Sequence, residues 1–174
     1  MNRILLLGIL SFALWAWPRL PERIPVHFGI DGRPDAWDEP GLWSWFFLPA
    51  LAAVLTLLMD WLPRFMARHP RWVNLPNGIR LEDLPSRARQ PVLDLLGWFL
   101  ALVQTEILVI FALIQLATYR TAFGEESQGI MILVLVLAVT ASPLFLVVFF
   151  VKLQGVMKEV RRLRAQGSEP SPSR

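Results

Sequence analysis

The sequence has 174 residues, of which 55% are hydrophobic, with a mean hydropathy of +0.47 and a formal net charge of +3. A soluble domain of this length cannot bury so much apolar surface, so part of the chain must be solvated by lipid. The absence of cysteine excludes disulfides, thiolate zinc sites and cysteine nucleophiles. The basic residues flank apolar stretches instead of forming one continuous surface, which excludes nucleic-acid binding.

Four apolar segments, taken in chain order, predict an all-α membrane protein with four transmembrane helices. They cover residues 4–20, 42–62, 92–118 and 129–151. A span requires roughly 20 apolar residues, so the last three segments qualify and the first is short. The first segment also resembles a signal peptide, but the bulky Trp15 and Trp17 stand where a signal peptidase requires small residues. We therefore expect a retained anchor.

The charges of the connecting segments predict that both ends of the chain lie in the cytoplasm. Residues 18–41 contain three arginines and five acidic residues, whereas residues 63–91 contain six arginines and two acidic residues. The link after the third span is acidic on balance and the tail from residue 152 is basic. This alternation fits four spans under the positive-inside rule. Tryptophans cluster at both expected boundaries, with Trp15, Trp17, Trp37, Trp43 and Trp45 outside and Trp61, Trp72 and Trp98 inside.

The outer loop between the first two spans is predicted to be ordered. Proline occupies three of the eight positions from residue 18 to residue 25, and proline favours extended backbone. Alternation then places Ile24, Val26 and Phe28 on one face and His27 on the other. A tight turn is expected at Gly32, which follows an aspartate. The loop therefore forms an ordered extracytoplasmic cap.

The stretch from Leu20 to Asp35 resembles a bacterial membrane-protein family, the domain of unknown function 1648 family, whose first transmembrane helix precedes an LP-x-x-IP-x-HF-x-x-x-G-x-x-D loop. Residues 73–77 also resemble an NLPN element of its inner loop. A similar outer motif begins the SdpI-type immunity proteins, membrane receptors that protect a cell from a secreted peptide toxin, although the sequence holds no clear copy of their second domain. The resemblance implies a bacterial cytoplasmic membrane and a binding surface made of Pro21, Ile24, Pro25, His27, Phe28, Gly32 and Asp35.

The inner segments carry two further signals. A small hairpin is predicted between residues 71 and 83, around the Asn77-Gly78 pair, which is suited to a tight turn. In residues 152–164, apolar residues recur at helical spacing and basic residues fill the remaining arc. That pattern predicts an amphipathic helix on, or emerging through, an anionic inner leaflet. Residues 165–174 are expected to form a disordered tail.

The outer loop also contains candidate metal ligands, His27 with Asp31, Asp35 and Asp38. Imidazole and carboxylates bind zinc or manganese, but their spacing here matches no established ligand pattern. We favour a structural role, in which the histidine donates a hydrogen bond and the aspartates close turns. No metal and no cofactor is expected, and the sequence holds no nucleophile elbow for a hydrolase.

Glu106 is the sharpest polar signal within the membrane, because it falls at the middle of the third span. An ionised carboxylate there costs about 3 kcal/mol on insertion scales, so Glu106 must be protonated or paired. Pro143 in the fourth span frees the carbonyl of Val139 at similar depth, near Thr140 and Ser142. We interpret Glu106 as a polar contact that holds two helices together and contributes on the order of 1 kcal/mol to the stability of the fold. The alternative is a proton or substrate relay.

The third span also carries Gln104 and Gln115 on another face, which predicts that it is central or faces a second copy of the chain. The preferred function is non-enzymatic, of the toxin-immunity or signalling type, with the outer loop binding a peptide or protein partner. One alternative is a small transporter or membrane enzyme that uses Glu106 and the His27 loop. Another is an accessory subunit of a larger membrane complex. The choice rests on the family resemblance, since no catalytic constellation is present.

Overall fold

Four helices dominate the fold in a computed structural model that describes residues 2–167. They are α1 Asn2–Ala16, α2 Leu42–Arg68, α3 Ser86–Ala122 and α4 Gln128–Gly167. Helices α2, α3 and α4 are long and apolar enough to cross a membrane. Helix α1 is shorter, with 15 residues, and a 3-10 turn at Trp17–Arg19 follows it. The protein is therefore mostly helical with three membrane-spanning candidates, and a fourth span through α1 remains a prediction.

The long helices extend beyond the predicted spans. Helix α2 passes through Pro63, and α3 begins before Pro91 and continues through it. The predicted spans ended at residue 62 and began again at residue 92, each beside a proline, whose local preference is for extended backbone in the residue before it. Burial outweighs this local preference, because Ala88 and Val92, on either side of Pro91, are both fully buried. Helix α4 likewise runs without a break past residue 151 to Gly167, so the tail expected from residue 165 begins inside it. Residues 168–174 of that tail lie outside the described residues.

Helix α3 is the centre of the bundle, because α1, α2 and α4 all pack against it. This confirms the central position that its glutamines predicted. A small apolar cluster of Ile9, Ala52 and Leu108 joins α1, α2 and α3 near their middles. Helix α4 packs against α3 from another side, and most of its large apolar side chains between residues 130 and 151 are exposed. Exposed apolar side chains on a long helix are the surface that lipid solvates.

Two small antiparallel hairpins correct the expectation of an all-α fold. In the first, β1 Ile24–Phe28 pairs with β2 Pro34–Asp38, between α1 and α2. In the second, β3 Asn74–Leu75 pairs with β4 Ile79–Arg80, between α2 and α3. The second confirms the predicted hairpin, and its Gly78 has a φ of 70°, a conformation that favours glycine.

The end of α4 packs against the segment that connects α2 to α3. Leu153, Met157 and Val160 are buried there, together with Leu81, Leu84 and other apolar residues of that connection. These three residues belong to the apolar stripe that the sequence placed at a lipid surface. In the structure these three residues have a protein partner, and Lys152, Lys158, Arg161 and Arg162 of the same helix are exposed.

Candidate functional site

The candidate site is the first hairpin with its turn, residues 24–38, which we call the outer hairpin. Its base is fixed by Ile24, which is fully buried in an apolar cluster with Ala16 and Trp45. Pro25 is buried beside it. The Trp45 indole N–H donates a 2.9 Å hydrogen bond to the Ala13 carbonyl, so the floor under the hairpin ties α1 to α2. Trp45 is therefore a core residue, and its predicted place at the membrane boundary stays a prediction.

The predicted alternation along β1 holds at its first residue and then fails. Register shifts interrupt the pairing on both sides of His27. A bulge inserts an extra residue and re-aims the side chains that follow it. As a result Val26 is 44% exposed, although the alternation placed it on the buried face with Ile24. Phe28 is half-buried, and the motif residue Pro21 is half-buried just before the strand.

The tip of the outer hairpin is docked on the start of α4. The Gln128 side-chain amide donates a 2.9 Å hydrogen bond to the Asp31 carbonyl. Gly32 has a φ of 78°, and a Cβ added to it would lie 3.0 Å from the Gln128 carbonyl oxygen. Both the backbone conformation and the close approach therefore require glycine at position 32. The hairpin is thus held at its base by Ile24 and at its tip by Gln128.

The exposed face of the outer hairpin carries an acidic and an imidazole group in contact. The Nδ1 atom of His27 lies 2.5 Å from Oδ1 of Asp35, and the two side chains are 68% and 54% exposed. Asp31 does not join them, because its carboxylate accepts a 3.1 Å hydrogen bond from the backbone N–H of Arg33. Ile30, at the tip, is 88% exposed. The turn-closing role expected of Asp31 is therefore observed, whereas His27 pairs with a side chain and not with backbone.

Residues 2–167 contain no cluster of three histidine, aspartate or glutamate side chains placed to hold a metal ion. The seven motif residues instead divide into two groups. One group anchors the hairpin and is wholly or partly buried, namely Pro21, Ile24, Pro25, Phe28 and Gly32. The other group, His27 and Asp35, is exposed and paired. The outer hairpin can therefore recognise a partner through exposed groups without giving up its anchors.

The polar residues within the bundle form two separate contacts. The Ser142 hydroxyl lies 2.9 Å and 3.0 Å from the two carboxylate oxygens of Glu106, which is buried between α3 and α4. Thr140 instead donates to the Val136 carbonyl of its own helix. The predicted neighbourhood of Glu106 and Ser142 is thus observed, but the contact is to a hydroxyl and not to the carbonyl freed by Pro143.

Gln104 lies on the opposite side of α3, where the Asn2 side-chain amide donates a 2.7 Å hydrogen bond to its carbonyl oxygen. The sequence did not predict this contact, nor the ion pair between Arg3 and Asp60, whose nitrogen and oxygen are 3.0 Å apart. Polar residues are common at the ends of membrane-spanning helices, so the residue types of Asn2, Arg3 and Asp60 did not indicate which residues they would contact.

The three long apolar helices and their short connecting hairpins define a multi-pass membrane protein. Residues 4–53 match the family described as a domain of unknown function, DUF1648, which confirms the resemblance found in the loop motif. The match covers nearly all of α1, the whole outer hairpin and the first part of α2.

An uncharacterized protein of Archaeoglobus fulgidus is 33% identical over an alignment of 86 residues, and the match covers 42% of this chain and 44% of that protein. The match therefore spans less than half the length of this relative. No solved structure matches the chain.

Proposed function

We propose that this protein is a non-enzymatic membrane receptor or immunity-type protein whose outer hairpin binds an extracytoplasmic peptide or protein partner. The observation that carries the proposal is the division of the outer hairpin into anchors and exposed groups. Ile24 and Gln128 hold its two ends, whereas His27, Ile30 and Asp35 are presented to the surroundings. A surface already fixed in this way loses little conformational entropy when a partner docks.

The composition of the exposed face supports recognition over a purely structural lid. A hairpin that only covers the bundle would need an apolar side chain that packs inward, and Ile24 is such a side chain. It would not need Ile30 at 88% exposure, or Val26 and Trp37 at 44% and 39%. Exposed apolar groups beside an acid and an imidazole provide the mixed apolar and polar contacts that are typical of protein interfaces.

The resemblance to SdpI-type immunity proteins suggests a secreted peptide toxin as one class of partner. This part of the proposal rests on the loop motif, because the family match carries no described activity. The four-span topology with both ends in the cytoplasm belongs to the same proposal, since it places the outer hairpin where a secreted peptide would meet it.

A photo-crosslinking amino acid at position 30, introduced in the native host, tests the proposal. A partner bound at the outer hairpin should give a discrete protein or peptide adduct at this position and none at position 144, where Leu144 is exposed on the apolar face of α4. Asp35→Ala should remove the adduct while leaving protein level and melting temperature unchanged.

Glu22→Ala is the matched control, because Glu22 is an exposed carboxylate of the same loop outside the outer hairpin. It should leave the adduct intact. Equal adducts at positions 30 and 144, or an adduct insensitive to Asp35→Ala, would contradict recognition through the exposed face.

A further inference from the structure

An open cleft of about 440 Å³ lies at the end of the bundle opposite the outer hairpin. The start of α1, the end of α2 and the first half of α3 form its walls. We call it the inner cleft, and it is lined by Asn2, Arg3, Asp60, Arg64, Trp98 and neighbouring residues of α3. Neither the loop motif nor the matched family segment assigns a role to it, because its α2 and α3 walls lie beyond residue 53.

The charged wall of the inner cleft has one positive charge in excess. Arg3 pairs with the Asp60 carboxylate, and Arg64 donates a 2.7 Å hydrogen bond to the Asp60 main-chain carbonyl. Two guanidinium groups therefore converge on Asp60, Arg3 on its carboxylate and Arg64 on its main-chain carbonyl. Each guanidinium has five N–H donors, so several donors remain for an anion that enters the cleft. Arginine N–H groups bind phosphate oxygens through charge-assisted hydrogen bonds.

A further cation, Lys152, lies against the ring of Trp98, the aromatic residue that lines the inner cleft. The ammonium nitrogen of Lys152 is 4.8 Å from the centre of the Trp98 ring, whose side chain is 37% exposed. Tryptophan favours the head-group level of a bilayer, and lysine there attracts anionic lipid. The cleft is thus framed by cations on both sides of an amphipathic ring.

A second, mostly apolar groove lies between α1 and α3, further along α3 from the inner cleft, and Gln115 is its polar lining residue. Trp98, Thr105 and Ala112 recur every seven residues, which places them on one face of the helix. Ala112 lines a cavity of about 300 Å³ between α3 and α1, together with Ile4, Leu5, Gly8, Phe12 and Leu116. A Cβ added at Gly8 would meet nothing within 4 Å, so the groove is open at that point.

We propose that the inner cleft binds the head group of an anionic phospholipid and that one acyl chain of the same lipid lies in the groove beside Gly8. The phosphate binds at Arg64 and Arg3, and the ring of Trp98 packs against the glycerol region. A charged polar cleft and a mostly apolar groove that follow one another along α3 match the two chemically distinct parts of one phospholipid molecule. The excess positive charge selects anionic over zwitterionic head groups.

Binding of three probes to the purified protein in detergent micelles tests this site, with native mass spectrometry as the measurement. The probes are phosphatidylglycerol, phosphatidylcholine with the same acyl chains, and glycerol phosphate without chains. We expect phosphatidylglycerol to bind more tightly than the other two. Arg64→Gln should weaken phosphatidylglycerol binding about fivefold, the effect of one basic residue near a lipid surface, and weaken phosphatidylcholine binding less, because choline offsets the charge of its phosphate. Arg64→Lys keeps the charge and should restore most of the binding.

Arg68→Gln and Gly8→Leu complete the experiment. Arg68 is an exposed arginine one turn further along α2 and outside the cleft, so its removal should have no effect. Gly8→Leu fills the groove and should weaken binding of the lipids but not of glycerol phosphate. Gly155→Leu, at another position with no atoms within 4 Å of the added Cβ, is the control for Gly8→Leu.

Several outcomes would overturn the proposal. Equal losses in Arg64→Gln and Arg68→Gln would indicate general surface attraction. Glycerol phosphate binding as tightly as phosphatidylglycerol would indicate a site for a soluble anion. If Gly8→Leu folds correctly, as judged by helical content, and still binds lipid as tightly as the unchanged protein, no acyl chain lies in the groove.

Discussion

Replacement of Ile24 by alanine should release the outer hairpin from the bundle. The side chain is fully buried among Ala16, Trp45 and their neighbours. Removing a buried isoleucine side chain to Cβ costs about 3 kcal/mol when the cavity does not collapse. We expect this cost to appear as opening of the hairpin and not as loss of the helices, since α2 and α4 also pack directly against α3.

Hydrogen exchange in micelles measures this opening directly. The N–H groups of Gly29 and Gly32 donate hydrogen bonds to the Arg33 and Gly29 carbonyls at 2.8 Å and 2.9 Å, so they exchange only when the turn opens. A loss of about 3 kcal/mol should accelerate their exchange about a hundredfold. Val26→Ala is the matched control, because Val26 is 44% exposed and its truncation should cost only about 0.5 kcal/mol. Equal acceleration by the two variants would refute anchoring through Ile24.

Two further predictions concern the tip of the hairpin and the contact inside the bundle. Gly32→Ala should cost about 2 kcal/mol of hairpin stability, because Gly32 combines a left-handed backbone with a close contact to Gln128. Gly124→Ala should cost about 1 kcal/mol, because Gly124 has a φ of 79° but open space around it. Equal costs of the two substitutions, measured by hydrogen exchange, would refute docking of the hairpin tip on α4. Glu106→Leu should lower the free energy of unfolding by about 1 kcal/mol and Glu106→Gln by less, because an amide still contacts Ser142. Equal losses of unfolding free energy in the two variants, measured by denaturation in mixed micelles, would contradict a role of Glu106 as a contact between helices. The same role would be contradicted if Glu106→Gln folded normally but lost a proton-coupled transport activity.

Much of the helical architecture follows from the sequence because the length of an apolar segment is a property averaged over many residues. The central position of α3 was predictable, since polar residues on several faces of one span require partners on several sides. The turn at Asn77-Gly78 was predictable because its chemistry is local. Helix ends were not, because burial of residues such as Val92 overrides the proline signal.

The candidate site was predicted in its residues but not in its geometry. The motif named the correct stretch, and its prolines indicated order. The bulges around His27 could not be read from an alternating pattern, because a single extra residue moves every later side chain to another face. The docking of Asp31 on Gln128 joins residues far apart in the chain, and an ordinary glutamine at a helix start carries no signal for it.

Cysteine labelling in intact cells tests most directly whether the outer hairpin is an exposed recognition surface on the outside. The chain contains no cysteine, so single substitutions report one position each. Ile30→Cys and Arg161→Cys both replace exposed side chains, one at the hairpin tip and one on the basic part of α4. A membrane-impermeant thiol reagent should label position 30 in intact cells and position 161 only after the membrane is permeabilised. Labelling of position 161 from outside, or protection of position 30 until permeabilisation, would contradict an extracytoplasmic hairpin and with it the proposed function.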